Sequence, residues 1–444
     1  MRLFTRSKEK LMSVLEQYKS KLTTAAEIAA LIQSGETCCT DLAAAIPTAI
    51  VGELAKRSEK GEVQNIRLDT SLDIGQYSYF TEEALRNITP VTWFSGKELA
   101  REVNKAQADV LPCYYRDMPQ LHRDYAVPDV FFATVSPMDK HGYFSTGTSA
   151  SYSEQTIKDA KKIYLEVNPH MPRAITGPMV HISQVTALCE NDIPLPILPQ
   201  TKIDETSRKI GELMAEEVPN GATIQMGIGA VPEAFGMALL DKRDIGIHTE
   251  LMTDSMVEMI EKGVVTNEMK PIYRGKTVAT LAFGSQRVYD YMDDNPAFVM
   301  LPVDYVNDPA VIAQHPNFIS VNAALEVDFY GQVCAESIGT IHVSGSGGQA
   351  DYVRGATQSK GGKSFIAFSS TTKNDTISKI KPTLTPGSIV TTHKNDVDCI
   401  VTEYGIAKLR GKTLSQRAKE LIAIAHPKFR DELTFAAKKQ NIII

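Results

Sequence analysis

Two glutamates stand where strands are expected to end, and a carboxylate in that place can do chemistry. Residues 245–251 fit one strand, with Glu250 at its C-terminal end in the segment Gly-Ile-His-Thr-Glu. Glu403 follows an apolar run in the same way, in Ile-Val-Thr-Glu-Tyr-Gly. Ligands of open α/β sheets bind at the C-terminal ends of the strands. Each glutamate therefore fits a nucleophile, a general base or a partner of one, and equally an ordinary solvated strand end.

Three further segments bring glycine or small polar residues to predicted turns. Residues 223–234 read Thr-Ile-Gln-Met-Gly-Ile-Gly-Ala-Val-Pro-Glu-Ala, which predicts a strand, a glycine turn and a helix beginning near Pro232. Pro232 replaces the third glycine of Gly-x-Gly-x-x-Gly, so this is not a dinucleotide fingerprint. Residues 320–333 predict a strand and a turn. Residues 345–348, Gly-Ser-Gly-Gly, can form an anion nest or an oxyanion hole, or simply a loop.

Other kinds of catalytic site are disfavoured. The nine histidines and six cysteines are scattered, without His-Glu-x-x-His or Cys-x-x-Cys spacing, so no metal site is predicted. A Gly-x-Ser-x-Gly elbow is also missing, which argues against a Ser-His-Asp hydrolase. The sparse cysteines are typical of reduced thiols in a cytosolic protein.

The overall composition is that of a mildly acidic globular protein. The chain has 444 residues, 47 Lys and Arg against 53 Asp and Glu, a net charge of −6 and 43% hydrophobic residues. These values disfavour a disordered chain and a nucleic-acid binder. No apolar run is long enough for a transmembrane helix. Residues 1–22 are charged throughout and predict an amphipathic helix, not a secretory signal, so we expect a cytoplasmic protein.

The elements that must position these residues alternate between strands and helices. Apolar, β-branched runs predict strands at 130–135, 163–167, 298–301 and 364–368, and helical patterns cover 202–217, 232–241, 254–262 and 415–424, the last capped by Ser415. Such alternation predicts an α/β protein with mostly parallel sheets. Three prolines within residues 194–199 interrupt the pattern, which predicts domains at 1–195 and 196–444.

A weak internal repeat links the two predicted domains. Ser-Gly-Glu-Thr at 34–37 is echoed by Asn-Gly-Ala-Thr at 220–223, and Asp-Lys-His-Gly at 139–142 by Asp-Phe-Tyr-Gly at 328–331. The offsets, 186 and 189 residues, are similar and in the same order. Two related α/β halves explain the echo, although Asp-x-x-Gly is also common turn chemistry.

Taken in order, many short segments resemble the acetyl-CoA hydrolase/transferase family of family I CoA-transferases, above all its 4-hydroxybutyrate and butyryl-CoA:acetate CoA-transferases. The segments that carry this resemblance lie at 136–144, 166–173, 227–232, 246–250, 303–307, 327–332, 347–351 and 401–405. One departure stands at 38–44, Cys-Cys-Thr-Asp-Leu-Ala-Ala, where such families often have a glycine-containing turn.

The resemblance implies two related α/β domains with the active site at their interface, and it implies covalent chemistry. Glu250 matches the family's nucleophile, which attacks an acyl-CoA thioester and then carries CoA as a glutamyl thioester. The same resemblance gives Gly347 or Gly348 as the oxyanion donor, Asn322 as a hydrogen-bonding partner and Glu403 as a group that orients the nucleophile. CoA contacts are implied for Gly227, Ile228, Gly229, Ala230, Val231, Leu325 and Gly348.

The expected substrates are an acyl-CoA, such as acetyl-CoA or butyryl-CoA, and a short-chain carboxylate, with 4-hydroxybutyrate favoured. CoA is a cosubstrate, and no permanently bound cofactor, nucleic-acid partner or membrane is expected. Family analogy predicts a homodimer or larger homo-oligomer. Four alternatives stay open: a short-chain acyl-CoA hydrolase on the same fold, butyryl-CoA:acetate CoA transfer as the physiological reaction, a nicotinamide-dependent oxidoreductase using the glycine turn, and a non-catalytic CoA-binding protein.

Overall fold

The first half of the chain is built on a fully parallel sheet of seven strands. The computed structural model describes residues 12–75, 80–199 and 201–443. In chain order the strands of this sheet are β1 (Thr37–Thr40), β2 (Ile66–Thr70), β3 (Ile88–Thr92), β4 (Asp109–Val110), β5 (Val130–Val135), β6 (Lys162–Val167) and β7 (Ala187–Glu190). They are arranged β4-β3-β2-β1-β5-β6-β7. Continuous apolar runs such as that of β5 are buried along their whole length, as strands covered on both faces must be.

A six-stranded sheet forms the second half. Its strands are β8 (Thr223–Met226), β9 (Gly246–Ile247), β10 (Phe318–Ala323), β11 (Lys363–Ala367), β12 (Cys399–Thr402) and β13 (Gly405–Lys408). The order is β9-β8-β10-β11-β12-β13, and only the last pair is antiparallel. Shorter strands pair outside these sheets, at Tyr143–Ser145, Met179–His181, Leu251–Met252, Thr277–Ala279, Leu281–Ala282, Phe298–Met300, Glu326–Asp328, Val333–Cys334, Ser337–Ile338, Ile341–His342, Thr371–Thr372, Ile377–Ser378 and Ile380–Lys381.

Helices connect the strands of both sheets. They are α1 (Val14–Lys21), α2 (Ala25–Ala30), α3 (Thr48–Glu59), α4 (Lys97–Asn104), α5 (Met118–Asp124), α6 (Ser153–Asp159), α7 (Glu205–Glu216), α8 (Ala230–Ala238), α9 (Asp254–Glu261), α10 (Gln286–Met292), α11 (Val303–Val306), α12 (Pro309–Ile312), α13 (Gln349–Gln358), α14 (Leu414–Ile424) and α15 (Pro427–Lys439). Three 3₁₀ turns lie at Ala43–Ala45, Ala84–Arg86 and Tyr115–Asp117.

The mixed α/β class and the mostly parallel sheets are confirmed, and two local predictions are wrong. The cap of α14 is Thr413, not Ser415, because Thr413 forms a reciprocal capping box with Gln416. Residues 245–251 are not one strand. The chain leaves the second sheet after Ile247, and the Glu250 carbonyl instead accepts from the N–H groups of Thr280 and Leu281. Residues 1–11 of the predicted first helix lie outside the described residues.

The two sheets repeat one topology. Strands β2-β1-β5-β6-β7 of the first sheet match β9-β8-β10-β11-β12 of the second in order and direction. The turn after the third strand of each repeat is also the same. Asp139 and Asp328 each accept backbone N–H groups two and four residues ahead, and Gly142 and Gly331 have φ of 89° and 85°. The sequence echo thus corresponds to equivalent elements.

One cluster of buried apolar residues joins the two halves. It includes Phe131 and Leu165 of the first sheet and Ile224, Val321 and Val401 of the second. The ends of the two sheets are therefore held in fixed relation, which a site built from both requires. Among the described residues, no helix has the length and apolar character needed to cross a membrane.

Candidate active site

Glu250 lies in the break between two short strands, where the chain passes from β9 toward Leu251–Met252. Two residues earlier, the ring of His248 is completely buried, and its Nε2 is 2.7 Å from the carbonyl oxygen of Val306. Burial lowers the pKa of His248 well below its usual value, so the ring is neutral and can donate this hydrogen bond. The His-Thr-Glu segment thereby ties the nucleophile candidate to the end of α11.

Two donors hold the carboxylate of Glu250. Asn307, directly after α11, donates from Nδ2 to Oε2 over 2.7 Å, and the backbone N–H of Gly348 donates to the same carboxylate. A Cβ at position 348 would lie 1.9 Å from Oε2 of Glu250 and 2.3 Å from Nδ2 of Asn307. Only glycine permits the backbone to come this close, so the structure brings Gly348 and Glu250 together as a unit.

Burial raises the pKa of Glu250 to about 7, and the hydrogen bonds from Asn307 and Gly348 act in the opposite direction. A carboxyl group with this pKa is present in both ionisation states near neutral pH. Perturbed carboxyl groups in clefts are typical of functional sites.

The other side of this cleft comes from the first sheet. A small pocket at Glu250 is lined by residues that follow β1, β2 and β3, by Tyr115 and by three residues of the second half. The lining residues are Leu42, Ser71, Leu72, Phe94, Tyr115, Glu250, Leu281 and Gly347. Its cavity volume is about 40 Å³, and its wall is mainly apolar. The site therefore lies between the two sheets, and its shape is suited to a small group with an apolar end.

Leu72, which lines this pocket, and Ala43, which follows the lining residue Leu42, have left-handed backbone conformations without being glycine. Ala43 has φ of 51° and Leu72 has φ of 49°. Such residues persist only where the surroundings hold them, and they cluster at functional sites. The buried Asp41 carboxylate holds the first turn by accepting from the Leu42 N–H, Ser149 and Ser153. The glycine-free segment at 38–44 thus still makes a tight turn, with Ala43 in the conformation that favours glycine.

A second carboxyl group lies behind the Gly347–Gly348 turn. Asp351, in the first turn of α13, is completely buried, and its Oδ1 is 3.4 Å from Nε of Arg116. Burial raises the pKa of Asp351 to about 8; the Arg116 charge lowers it, and the Glu250 charge raises it. The N–H of Tyr115 also donates to the carbonyl of Gly347. Residues 115–116 of the first half therefore clamp the turn that contacts Glu250.

The predicted CoA-binding turn is open to solvent on its outer side. Gly227, Ile228, Gly229, Ala230 and Val231 follow β8 and lead into α8. A Cβ added to Gly227 or to Gly229 would have no atom of the described residues within 4 Å. The side chain between them, Ile228, is exposed. A ligand can approach this backbone closely.

Asn322 and Leu325 lie on the neighbouring strand end. Met226 pairs with Val321 across β8 and β10, which places Asn322 beside the Gly227 turn. The Nδ2 of Asn322 is buried and has no hydrogen-bond partner among the residues that the structure describes, so it can donate to a ligand there. Leu325 follows two residues after the end of β10 and remains partly exposed.

Glu403 is not in the same cluster. It follows β12, and the second sheet places β8, β10 and β11 between β9 and β12. Its carboxylate accepts from the N–H and hydroxyl of Ser370 at 2.9 and 2.5 Å. Glu250 contacts Asn307 and Gly348. Glu403 lies at the same edge of the second sheet, but four strands away from β9.

Several residues around Glu250 are not predicted from the sequence. Asn307 lies within a segment that carries the family resemblance, but the resemblance implies no role for it. Leu42, Ser71, Leu72 and Phe94 carry no motif. Each lies one or two residues after the end of β1, β2 or β3, and none of these three strands is predicted above from the sequence. Among the described residues, no cluster of three or more His, Cys, Asp or Glu could hold a metal ion.

Known proteins resemble this chain along almost its whole length. Residues 5–199 match the acetyl-CoA hydrolase/transferase N-terminal domain, and residues 284–437 match the C-terminal domain. The succinyl-CoA:cyclohexane-1-carboxylate CoA transferase of Geobacter metallireducens is 45% identical, over 96% of this chain and 97% of its own length. The 4-hydroxybutyrate coenzyme A transferase of Clostridium kluyveri is 39% identical, with 96% and 99% covered.

Solved structures agree with the sequence comparisons. RipA from Yersinia pestis superposes with a TM-score of 0.92 at 39% identity, covering 97% of this chain and 100% of RipA. A 4-hydroxybutyrate CoA-transferase from Porphyromonas gingivalis superposes with a TM-score of 0.82 at 33% identity, with 96% and 99% covered. With both domains matched and relatives this similar from end to end, the chain belongs to the acetyl-CoA hydrolase/transferase family.

Proposed function

We propose that this protein transfers CoA between an acyl-CoA and a short-chain carboxylate, with Glu250 carrying CoA between the two half-reactions. One observation carries the proposal: a carboxylate held by Asn307 and the Gly348 N–H faces a small, mainly apolar pocket at the junction of two sheets. The names of the relatives, which are CoA transferases of several acids, support the same reaction class.

The chemistry proceeds by successive attacks on carbonyl carbons. The ionised Glu250 attacks the thioester, the C–S bond breaks, and a mixed anhydride and CoA thiolate form. The thiolate then attacks the glutamyl carbonyl, which releases the first carboxylate and leaves CoA on Glu250 as a thioester. The acceptor carboxylate reverses both steps. Because one thioester is exchanged for another, no ATP is needed, and ping-pong kinetics are expected.

Each tetrahedral intermediate on Glu250 carries an oxyanion, and donors are already aimed at it. The Gly348 N–H and the Asn307 amide contact the carboxylate oxygens that become this oxyanion. Gly347 shapes the turn, while its carbonyl is held by Tyr115. We assign Asn322, with its unpartnered Nδ2, to the CoA side of the site, together with Leu325 and residues 227–231.

For the acyl group we propose a four-carbon acid, with 4-hydroxybutyrate favoured. The apolar side chains of Leu42, Leu72 and Leu281 can cover three methylene groups, and the hydroxyl of Ser71 in the same wall can pair with a terminal hydroxyl. A site with such a partner disfavours an analogue that lacks the hydroxyl. Relative kcat/KM for 4-hydroxybutyrate and butyrate, in wild type and Ser71→Ala, tests this preference.

Mass spectrometry of the enzyme mixed with butyryl-CoA tests the mechanism. A CoA adduct on the peptide that contains Glu250, absent in Glu250→Gln, is the expected result. An adduct elsewhere, or none during turnover, would contradict the assignment. Thiol release with and without acetate separates transfer from hydrolysis, the activity named for a 25% identical protein of Yarrowia lipolytica. Acetate-dependent acyl exchange supports a transferase, and acetate-independent release supports a hydrolase.

A further inference from the structure

An exposed tyrosine between two cations lies at the far end of the second sheet. Tyr404 is 36% exposed. The ammonium of Lys209 is 5.9 Å from its centroid, and the guanidinium carbon of Arg430 is 5.5 Å away. These distances allow cation–π attraction, which holds both charges beside the ring. We call these three residues the Tyr404 cluster.

The cluster lies at the same sheet edge as Glu250. Tyr404 comes two residues after β12, and β8, β10 and β11 stand between β12 and β9. Lys209 is in the first half of α7, whose C-terminal end precedes β8, so Lys209 lies toward this edge as well. Adjacent strands are about 4.8 Å apart, and four intervals place the cluster roughly 19 Å from the strand that precedes Glu250.

This separation fits the length of CoA. Its pantetheine arm has twelve bonds between the sulfur and the first phosphate ester oxygen, as many as four residues of polypeptide. An extended chain of that length spans roughly 14 Å, and the diphosphate and ribose reach several ångströms further. With sulfur at Glu250, the arm crosses the Gly227 turn and the end of β10, where Asn322 and Leu325 lie. The phosphates then reach the far end of the sheet.

The larger groove near the site is less suited to a polyanion. It has a volume of 750 Å³ and lies between Trp93 and Tyr114 of the first half and Ser346 of the second. Its lining residues include the carboxylates of Asp117 and Glu336 but neither lysine nor arginine. The Tyr404 cluster, by contrast, places two cations together, beside the charges of Glu403 and Asp375, on a protein whose net charge is −6. Local cations must attract the phosphates, because the overall charge does not.

We propose that Lys209 and Arg430 bind phosphate groups of CoA, and that Tyr404 positions both cations for this contact. The inference rests on the proposed function, since CoA is the ligand that spans from Glu250 to the cluster. Lys209 forms no ion pair within 4 Å among the residues that the structure describes, so its charge is available. Arg430 uses Nε to hold the carbonyl of Ala425, which leaves its terminal nitrogens for an anion.

Equilibrium binding of CoA and of pantetheine, which lacks the nucleotide, tests the cluster without depending on turnover. Lys209→Ala is expected to weaken CoA binding about tenfold, the size of one charge-assisted hydrogen bond, and to leave pantetheine binding unchanged. Arg208→Ala, an exposed cation one position away that pairs with Glu205 and Glu212, is the matched control and should change neither affinity.

Two results would overturn the inference: an unchanged affinity of Lys209→Ala for CoA, or equal losses for CoA and pantetheine. Tyr404→Leu should give a smaller loss of CoA affinity than Lys209→Ala, because it removes only the positioning of the cations. If the wild type binds CoA through Lys209 but exchanges no acyl groups, the cluster stands and the transferase proposal fails. Dephospho-CoA then tells whether the 3′-phosphate or the diphosphate makes the contact.

Discussion

The two sheets share five strands in one order, yet equivalent strand ends do different work. After β9, the second sheet continues to Glu250, whereas after β2 the first sheet continues to Ser71 and Leu72. Both segments line one pocket. The second sheet contributes the group that can react, and the first contributes the wall that shapes what reacts. A repeated fold can thus supply both sides of one site, with the repeats specialised after the same strand.

Buried glutamates make the same contrast. Glu166, in β6 of the first sheet, accepts from the N–H groups of Ala49 and Ile50 and from Asn191, and so holds the start of α3. Glu250 accepts from one side chain and one backbone N–H and faces a pocket. Glu166, whose two oxygens both accept hydrogen bonds from the fold, stabilises the structure. Glu250, which also faces a pocket, can reach a substrate.

Replacing these two glutamates gives the largest expected difference. Glu250→Gln should lower kcat for CoA exchange by at least about 1,000-fold, because the nucleophile is lost. Glu166→Gln should retain most of kcat per folded molecule but unfold at a lower temperature, since an amide cannot accept as many N–H groups. Exchange assays with thermal unfolding check both variants. Near-wild-type activity in Glu250→Gln would show that Glu250 is not the nucleophile.

Replacing Glu250 should have the opposite effect on stability from replacing Glu166. Because burial raises the pKa of Glu250 from the usual 4.5 to about 7, the native state holds this proton more tightly than the unfolded chain does. Stability therefore falls as the pH rises from about 4.5 to about 7, and the loss is complete above that range. Glu250→Gln should therefore be more stable than wild type at pH 8, and the difference should shrink by pH 5. Thermal unfolding at the two pH values measures this, and a difference that grows at low pH would contradict it.

Much of this arrangement was accessible from the sequence. Apolar runs predicted strands such as β5 and β6 closely, because buried parallel strands have a distinctive composition, and two Asp-x-x-Gly turns revealed the repeat. The contact between Glu250 and Asn307 was not accessible, and Gly348 was named only through the family resemblance. Asn307 and Gly348 lie 57 and 98 residues away in the chain and reach it only after the sheet assembles. Glu403 was correctly expected at the end of a strand. Its distance from Glu250 depends on the order of the strands in the sheet, which the sequence does not give.

Gly348→Ala tests the donor side of the comparison, with an expected loss in kcat of about 100-fold. An added Cβ would collide with Oε2 of Glu250 and Nδ2 of Asn307, so the backbone donor must move away. Gly227→Ala is the matched variant, because a Cβ there meets no atom of the described part of the chain within 4 Å. It should fold normally and affect KM for acyl-CoA more than kcat. If Gly348→Ala keeps its kcat, the Gly348 N–H is not an oxyanion donor.

Asn307→Ala should shift the acid limb of the pH profile of kcat/KM to higher pH. Its hydrogen bond lowers the pKa of Glu250, so its removal raises that pKa further above the usual carboxyl value. The ionised form attacks, and the variant should therefore lose about tenfold at pH 6.5 and recover much of this loss by pH 9. Asn322→Ala, on the CoA side of the site, should raise KM for acyl-CoA without shifting the acid limb of the pH profile. If the acid limb does not shift in Asn307→Ala, Asn307 does not set the pKa of Glu250.

The smallest expected effect concerns the wall that the first sheet provides. Phe94 follows β3, lines the pocket and lies 3.0 Å from where a Cβ on Gly347 would stand. Phe94→Leu lengthens the pocket while leaving Glu250 and its donors in place. The ratio of kcat/KM for hexanoate to that for butyrate should rise about fivefold, since hydrophobic pockets discriminate weakly for each methylene group. The pH profile should stay unchanged, because no titrating group is touched. A shifted profile with an unchanged ratio would mean that the first sheet tunes the nucleophile instead of selecting the acyl chain.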